Sequence, residues 1–190
     1  FKATKTATHY ISSAGYKSSK GTYKLSVTDE TPISNPSSNF NIQINYQGPV
    51  EYRKYIDQGV KFWEEVITSD IPDIYVNGIG KIDDLVIDTS IKYIDGVGNI
   101  LGGAAPERIR TNGFLPASGR MIFDRYDVPK MIRDGEFVDV IKHEIAHVLG
   151  FASIWDKLNL IDDFKYIGNK AVSQYSSLKG WQQTYIPIEQ

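Results

Sequence analysis

Residues 137–149 constrain this chain more than any other stretch. Within Phe137 to Leu149, apolar Val138, Ile141, Ile145 and Val148 recur at spacings of three, four and three. That is the period of a helix burying one face. Gly150 follows at once, placed to end the helix in a left-handed turn. Inside the same stretch lies His143-Glu144-Ile145-Ala146-His147, an HExxH sequence. Residues four apart on a helix share a face, so the two imidazoles can converge on one zinc ion. Glu144 lies about 100° round from His143. It can therefore reach a water polarised by the metal without ligating the metal, and serve as general base. Two incidental histidines on a structural helix would require the buried stripe and the motif to coincide by chance.

A zinc centre needs a third protein ligand. Six residues past His147 stands Ser153, a poor ligand. The only other histidine is His9, far upstream. Asp156, Asp162 and Asp163 are the nearby downstream oxygen donors, and a loop or capping role suits each of them better. Asp139, one turn before His143, reads as a helix-start acid favoured by the dipole, with orientation of a ligand as the alternative.

The rest of the chain reads as one α+β catalytic unit behind an upstream β segment. With 190 residues and 41% hydrophobic content the chain can bury a sizeable core. A net charge of −2 excludes a general nucleic-acid binder. No apolar run is long enough to span a membrane. No cysteine is present, so disulfides and thiolate metal sites are excluded. Residues 1–29 read as strands of an upstream module, with Tyr23 to Val27 alternating, and 30–38, with two prolines, as a linker. The catalytic domain is expected over 39–190. In it, Phe40 to Tyr46 reads as a strand and Val50 to Thr68 as a backing helix whose stripe is Tyr52, Ile56, Trp63, Val66 and Ile67. Residues 83–93 and 119–124 read as strands and 128–133 as a short helix. Asp95 to Asn99 and Gly102-Gly103 read as plain turns. Beyond 150 the chain reads as irregular, with a weak helix at 169–177. No GxSxG sequence is present, which argues against a serine hydrolase.

The run Asp139-Val140-Ile141-Lys142-His143-Glu144-Ile145-Ala146-His147-Val148-Leu149-Gly150-Phe151, followed by Ile154-Trp155 and Leu158, resembles the active-site region of leishmanolysin-like zinc metallopeptidases, a metzincin-type family. Leu115 to Asp124 is similar to the segment preceding that helix in bacterial members, as is the opening strand and helix from Phe40 to Thr68. Tyr10 to Tyr16 and Gly21 to Thr28 look like the last strands of β-sandwich modules that accompany secreted bacterial peptidases.

The resemblance implies a zincin-like fold with a mixed sheet, and a secreted or extracellular zinc endopeptidase acting on proteins or peptides. It implies His143 and His147 as metal ligands and Glu144 as the catalytic base. It also implies an edge strand at 119–124, where Gly119, Arg120 and Met121 would align substrate antiparallel. In the family the third ligand is a histidine delivered after a long insertion. In related sequences a stretch like Ile186 to Glu189 is followed shortly by that histidine, so the ligand is expected beyond Gln190. The methionine turn that floors such a site would follow later, since Met121 and Met131 both precede the helix. Two other readings stay open: a zinc hydrolase completed by Asp156, Asp162 or Asp163, and a non-catalytic binding module.

Overall fold

The structure is a computed structural model that describes residues 40–188. The expected upstream strands (1–29) and linker (30–38) lie outside the described residues, as does His9.

The first strand, β1 (Ile42–Gln47), follows the alternation of its sequence, with Ile42, Ile44 and Tyr46 turned inward. A short 3₁₀ turn at Val50–Tyr52 leads into α1 (Arg53–Val66). After a small antiparallel hairpin of β2 (Ile74–Val76) and β3 (Gly80–Ile82) comes β4 (Leu85–Lys92), which pairs parallel to β1. The crossover between them contains α1, as a parallel pair requires. β5 (Gly102–Ile109) and β6 (Pro116–Asp124) then form an antiparallel hairpin, and β6 also pairs parallel to β4. The sheet is therefore mixed, with order β1-β4-β6-β5.

Two helices follow: α2 (Val128–Asp134), ended by left-handed Gly135, and α3 (Phe137–Leu149). The remainder forms β7 (Ile161–Asp162), β8 (Lys165–Tyr166), α4 (Asn169–Lys179) and β9 (Ile186–Pro187), with the three strands in a small antiparallel sheet. The molecule is α+β, and no described helix is long and apolar enough to cross a membrane.

Both long helices lie on one face of the main sheet. Ile87, Met121 and Phe123 point into that layer, where they meet Ile56 of α1 and Phe137, Ile141, Ile145 and Val148 of α3. Phe137, not the half-buried Val138, thus completes the inward stripe of α3, and Val66 of the expected α1 stripe is exposed. Two glycines let the layers close. A Cβ on Gly59 would run into the Ile141 side chain, and one on Gly119 would lie 2.5 Å from Val148 Cγ1 and 2.7 Å from the Ala105 carbonyl. The opposite face carries Asn45, Asp88, Ser90 and Arg120 beside a groove of about 580 Å³.

Three expectations are corrected here. Gly102-Gly103 is not a turn but the start of an eight-residue strand. Residues 161–162, 165–166 and 186–187, expected to be irregular, pair as strands. Most important, 119–124 is not an edge. β6 is bonded on both sides, and the edge strands of the sheet are β1 and β5. Gly119 is occupied by helix packing, Met121 is 1% exposed in the core, and Arg120 points to the far face, 3.9 Å from Glu107. None of the three has a free edge to offer a substrate, because the neighbouring strand already uses it.

Candidate metal centre

The helical spacing of His143 and His147 brings their Nε2 atoms to 3.0 Å from each other, with the rings nearly perpendicular. Two nitrogens bound to one zinc at tetrahedral geometry lie about 3.4 Å apart. The pair is therefore within a few tenths of an ångström of a chelating separation. His147 is held at its other nitrogen, where Nδ1 lies 3.1 Å from the Phe151 carbonyl. A carbonyl can only accept, so Nδ1 carries the proton and Nε2 presents its lone pair towards His143.

The turn after α3 supplies that carbonyl. Gly150, at φ 110°, takes the left-handed conformation expected for it. The Phe151 N–H donates to the Ala146 carbonyl and the Gly150 N–H to the His147 carbonyl, the paired closing bonds of a Schellman turn. Ser153 then donates its hydroxyl to the same His147 carbonyl at 2.6 Å. Ser153, noted in the sequence only as a poor ligand, is thus a helix cap beneath His147. The sequence signal for it is a hydroxyl residue just past a helix-ending glycine.

Glu144 lies on the side of α3 turned towards the protein and is only 7% exposed. Its Oε2 is buried with no hydrogen-bond partner among the described protein groups. Burial raises its pKa above the ordinary carboxylate range, and the nearby imidazoles, His147 and then His143, pull it partly back. A carboxylate kept out of water beside two converging imidazoles fits a site that also holds a cation and a water. The donor set, two imidazoles and an adjacent glutamate, suits zinc.

No described His, Asp or Glu joins the two imidazoles in a set of three with ligand atoms within 4.8 Å of one another. Asp156, Asp162 and Asp163 therefore do not complete the centre in this arrangement, and Asp163 faces Lys165 at 3.8 Å. Asp139 pairs with Lys142 at 2.9 Å and is 77% exposed, as a helix-start acid would be. One other group of ligand-type atoms converges among the described residues: Asp70, Asp83 and Asp84. Its buried member is committed to the fold. The two Asp84 oxygens accept the backbone N–H groups of Ile71 and Asn41, each at 2.8 Å.

Trp63 was not expected at the site, and Phe151 was noted only as the end of the run that carries the motif. The Trp63 indole N–H donates to the Lys142 carbonyl at 3.0 Å, and its ring lies 5.7 Å from that of Phe151. Trp63 was visible in the sequence as a member of the α1 stripe, but its partner lies 79 residues away and no local pattern names it. No protein-family model matches the chain, and no curated protein matches it.

Proposed function

We propose that this chain carries the metal-binding and proton-transfer elements of a zinc-dependent endopeptidase with a zincin-like fold, similar to the leishmanolysin-like enzymes. The observation that carries the reading is the convergence of the His143 and His147 Nε2 atoms beside the buried, unpartnered Glu144 carboxylate oxygen. His143 and His147 would hold the zinc, with a third ligand supplied from outside residues 40–188. The bound ion supplies Lewis-acid chemistry, polarising a water and the scissile carbonyl. Glu144 accepts the proton of the attacking water at its carboxylate and passes it to the leaving amine.

The substrate would be an extended peptide. α3 packs against β5, one of the sheet's two edge strands, so a free edge runs beside the helix that carries the motif. Backbone groups of Gly102–Ile109 on that edge can add a peptide strand, which recognises main chain before side chain. Substrate alignment thus moves from β6 to β5. A protein or peptide partner and a secreted location belong to the same proposal.

The test is zinc titration of the chain, paired with cleavage of an unfolded protein substrate by the protein with its third ligand supplied. One ion should bind and be lost in both His143→Ala and His147→Ala. Glu144→Gln should keep the ion while cleavage falls by roughly 10²–10⁴-fold. Absence of zinc binding, or binding that survives both histidine substitutions, overturns the proposal.

A further inference from the structure

We infer that Trp63 is a positioning residue for the His143–His147 pair, fixing both imidazoles from the neighbouring helix. This rests on the metal-binding reading of that pair.

Trp63 lies near the C-terminal end of α1 and reaches across to α3 at two points. Its Nε1–H donates to the carbonyl of Lys142, the residue immediately before His143. Its ring packs against Phe151 with centroids 5.7 Å apart and planes at 49°. Phe151 is the residue whose carbonyl takes the His147 Nδ1 proton. One side chain therefore touches the backbone next to one imidazole and the residue that orients the other.

Among the other contacts between the helices, Lys142 Nζ lies 4.9 Å from the Phe62 ring centroid and Tyr55 packs against Phe137. Gly59 lies against Ile141 and Ile145, and such apolar surfaces fix a separation without fixing a rotation. A hydrogen bond is directional and sets where the Lys142 carbonyl lies about the α3 axis. The turn that carries the Phe151 carbonyl also needs support. Ala152, next in the chain, sits at φ 61°, a left-handed conformation that an alanine adopts only when its surroundings hold it there. The Trp63 ring, which also meets Phe62 edge-on at 5.4 Å, packs against Phe151. Groups that orient metal-binding histidines through their second nitrogen commonly change metal affinity by 10–100-fold when removed. Trp63 acts one step further out.

The experiment compares the 190-residue chain with Trp63→Phe, which keeps an aromatic ring and removes the N–H. Zinc affinity is read by competition with a chromophoric chelator. The His147 tautomer is read in the metal-free protein by long-range proton–nitrogen NMR. Wild type should show the Nδ1–H form of His147. Trp63→Phe should mix the two tautomers and weaken zinc binding on the order of 10-fold, with the far-ultraviolet circular dichroism unchanged. Unchanged affinity together with an unchanged tautomer overturns the inference. Phe151→Leu keeps the carbonyl and removes the ring. It should move both readouts in the same direction, and it decides the matter if Trp63→Phe does not fold. Failure of the metal-binding reading shows separately, as absence of zinc binding by wild type, and the metal-free His147 signal then decides the positioning role alone.

Discussion

Single carboxylates do unequal work in this molecule. Asp124, the last residue of β6, is fully buried, and burial alone would raise its pKa. Four backbone N–H groups outweigh that effect. Oδ2 accepts from Ile94, Asp95 and Gly96 at 2.7–3.0 Å, and Oδ1 accepts from Tyr126 at 2.7 Å. The net result is a pKa lowered to about 2. Asp124 therefore explains the glycine-rich turn at 95–99. The turn wraps a carboxylate of the protein, with Asp127 accepting the Gly98 N–H alongside it. The sign of the pH effect follows. A folded pKa below the unfolded value of about 3.9 stabilises the native state above that pH. The contribution is lost as pH falls from about 4 towards 2. Asp124→Asn should lower the urea midpoint at neutral pH and flatten its decline across that acid window. An acid limb as steep as wild type would show that other carboxylates govern it.

At the scale of elements, the closeness of α3 to the sheet depends on what β6 lacks. Gly119 lies under Val148, and the Cβ of an alanine there would also press on the Ala105 carbonyl of β5. Backbone cannot rotate away as a side chain can, so α3 or β5 would have to shift. Gly119→Ala should destabilise the protein by about 1–3 kcal/mol. It should also weaken zinc binding more than a surface substitution of equal destabilisation, because the helix that moves carries both histidines. Thermal unfolding and zinc titration on one preparation would check both.

The same elements show what sequence alone reveals. Helix α3, its glycine terminator, the HExxH face and the buried stripe apart from Phe137, which takes the place expected for Val138, were legible, because each rests on spacing within a few residues. Strand β5 was not. Gly102-Gly103-Ala104-Ala105-Pro106 has no β-branched or aromatic residue and reads as turn. Pro106, which argues against a central strand, is admissible only because β5 is an edge. Which strand forms the edge depends on pairing order, and no local pattern encodes it. For the same reason β6, rich in strand signals, was mistaken for the edge. At the site, the convergence of the two imidazoles could be read from spacing. Ser153 and Trp63 could not, because their roles depend on where a turn and a second helix arrive in space.

At the scale of the whole molecule, one side chain ties the sheet to the segments around it. Arg110, just after β5, is 6% exposed, and its guanidinium donates only to backbone carbonyls. Nε reaches Pro72 at 3.1 Å and Nη1 reaches Pro116 at 2.5 Å. Nη2 is shared by Asp83 at 3.2 Å and Asp84 at 2.7 Å. These acceptors lie before β2, at the start of β6 and at the entrance to β4. Arg110 thereby joins the β2–β3 hairpin to the main sheet, to which the hairpin adds no strand. Burial pulls the guanidinium pKa down, while the Asp84 and Asp73 carboxylates oppose that shift. The charge is retained at any working pH. Arg110→Met preserves much of the volume but leaves buried carbonyls without a donor, and each such loss costs about 1–3 kcal/mol. The combined loss should be roughly 3–5 kcal/mol, the scale for breaking a buried charged cluster. That is a large share of the ~5–15 kcal/mol that stabilises a domain of this kind. Arg110→Lys should recover only part of it, because an ammonium cannot span acceptors set out for a planar fork. Hydrogen exchange offers the sharper check. In Arg110→Lys the amides of 74–82 should lose protection well before those of α3. Uniform loss across the molecule would mean that Arg110 supports the core as a whole and does not serve as the hairpin's tether.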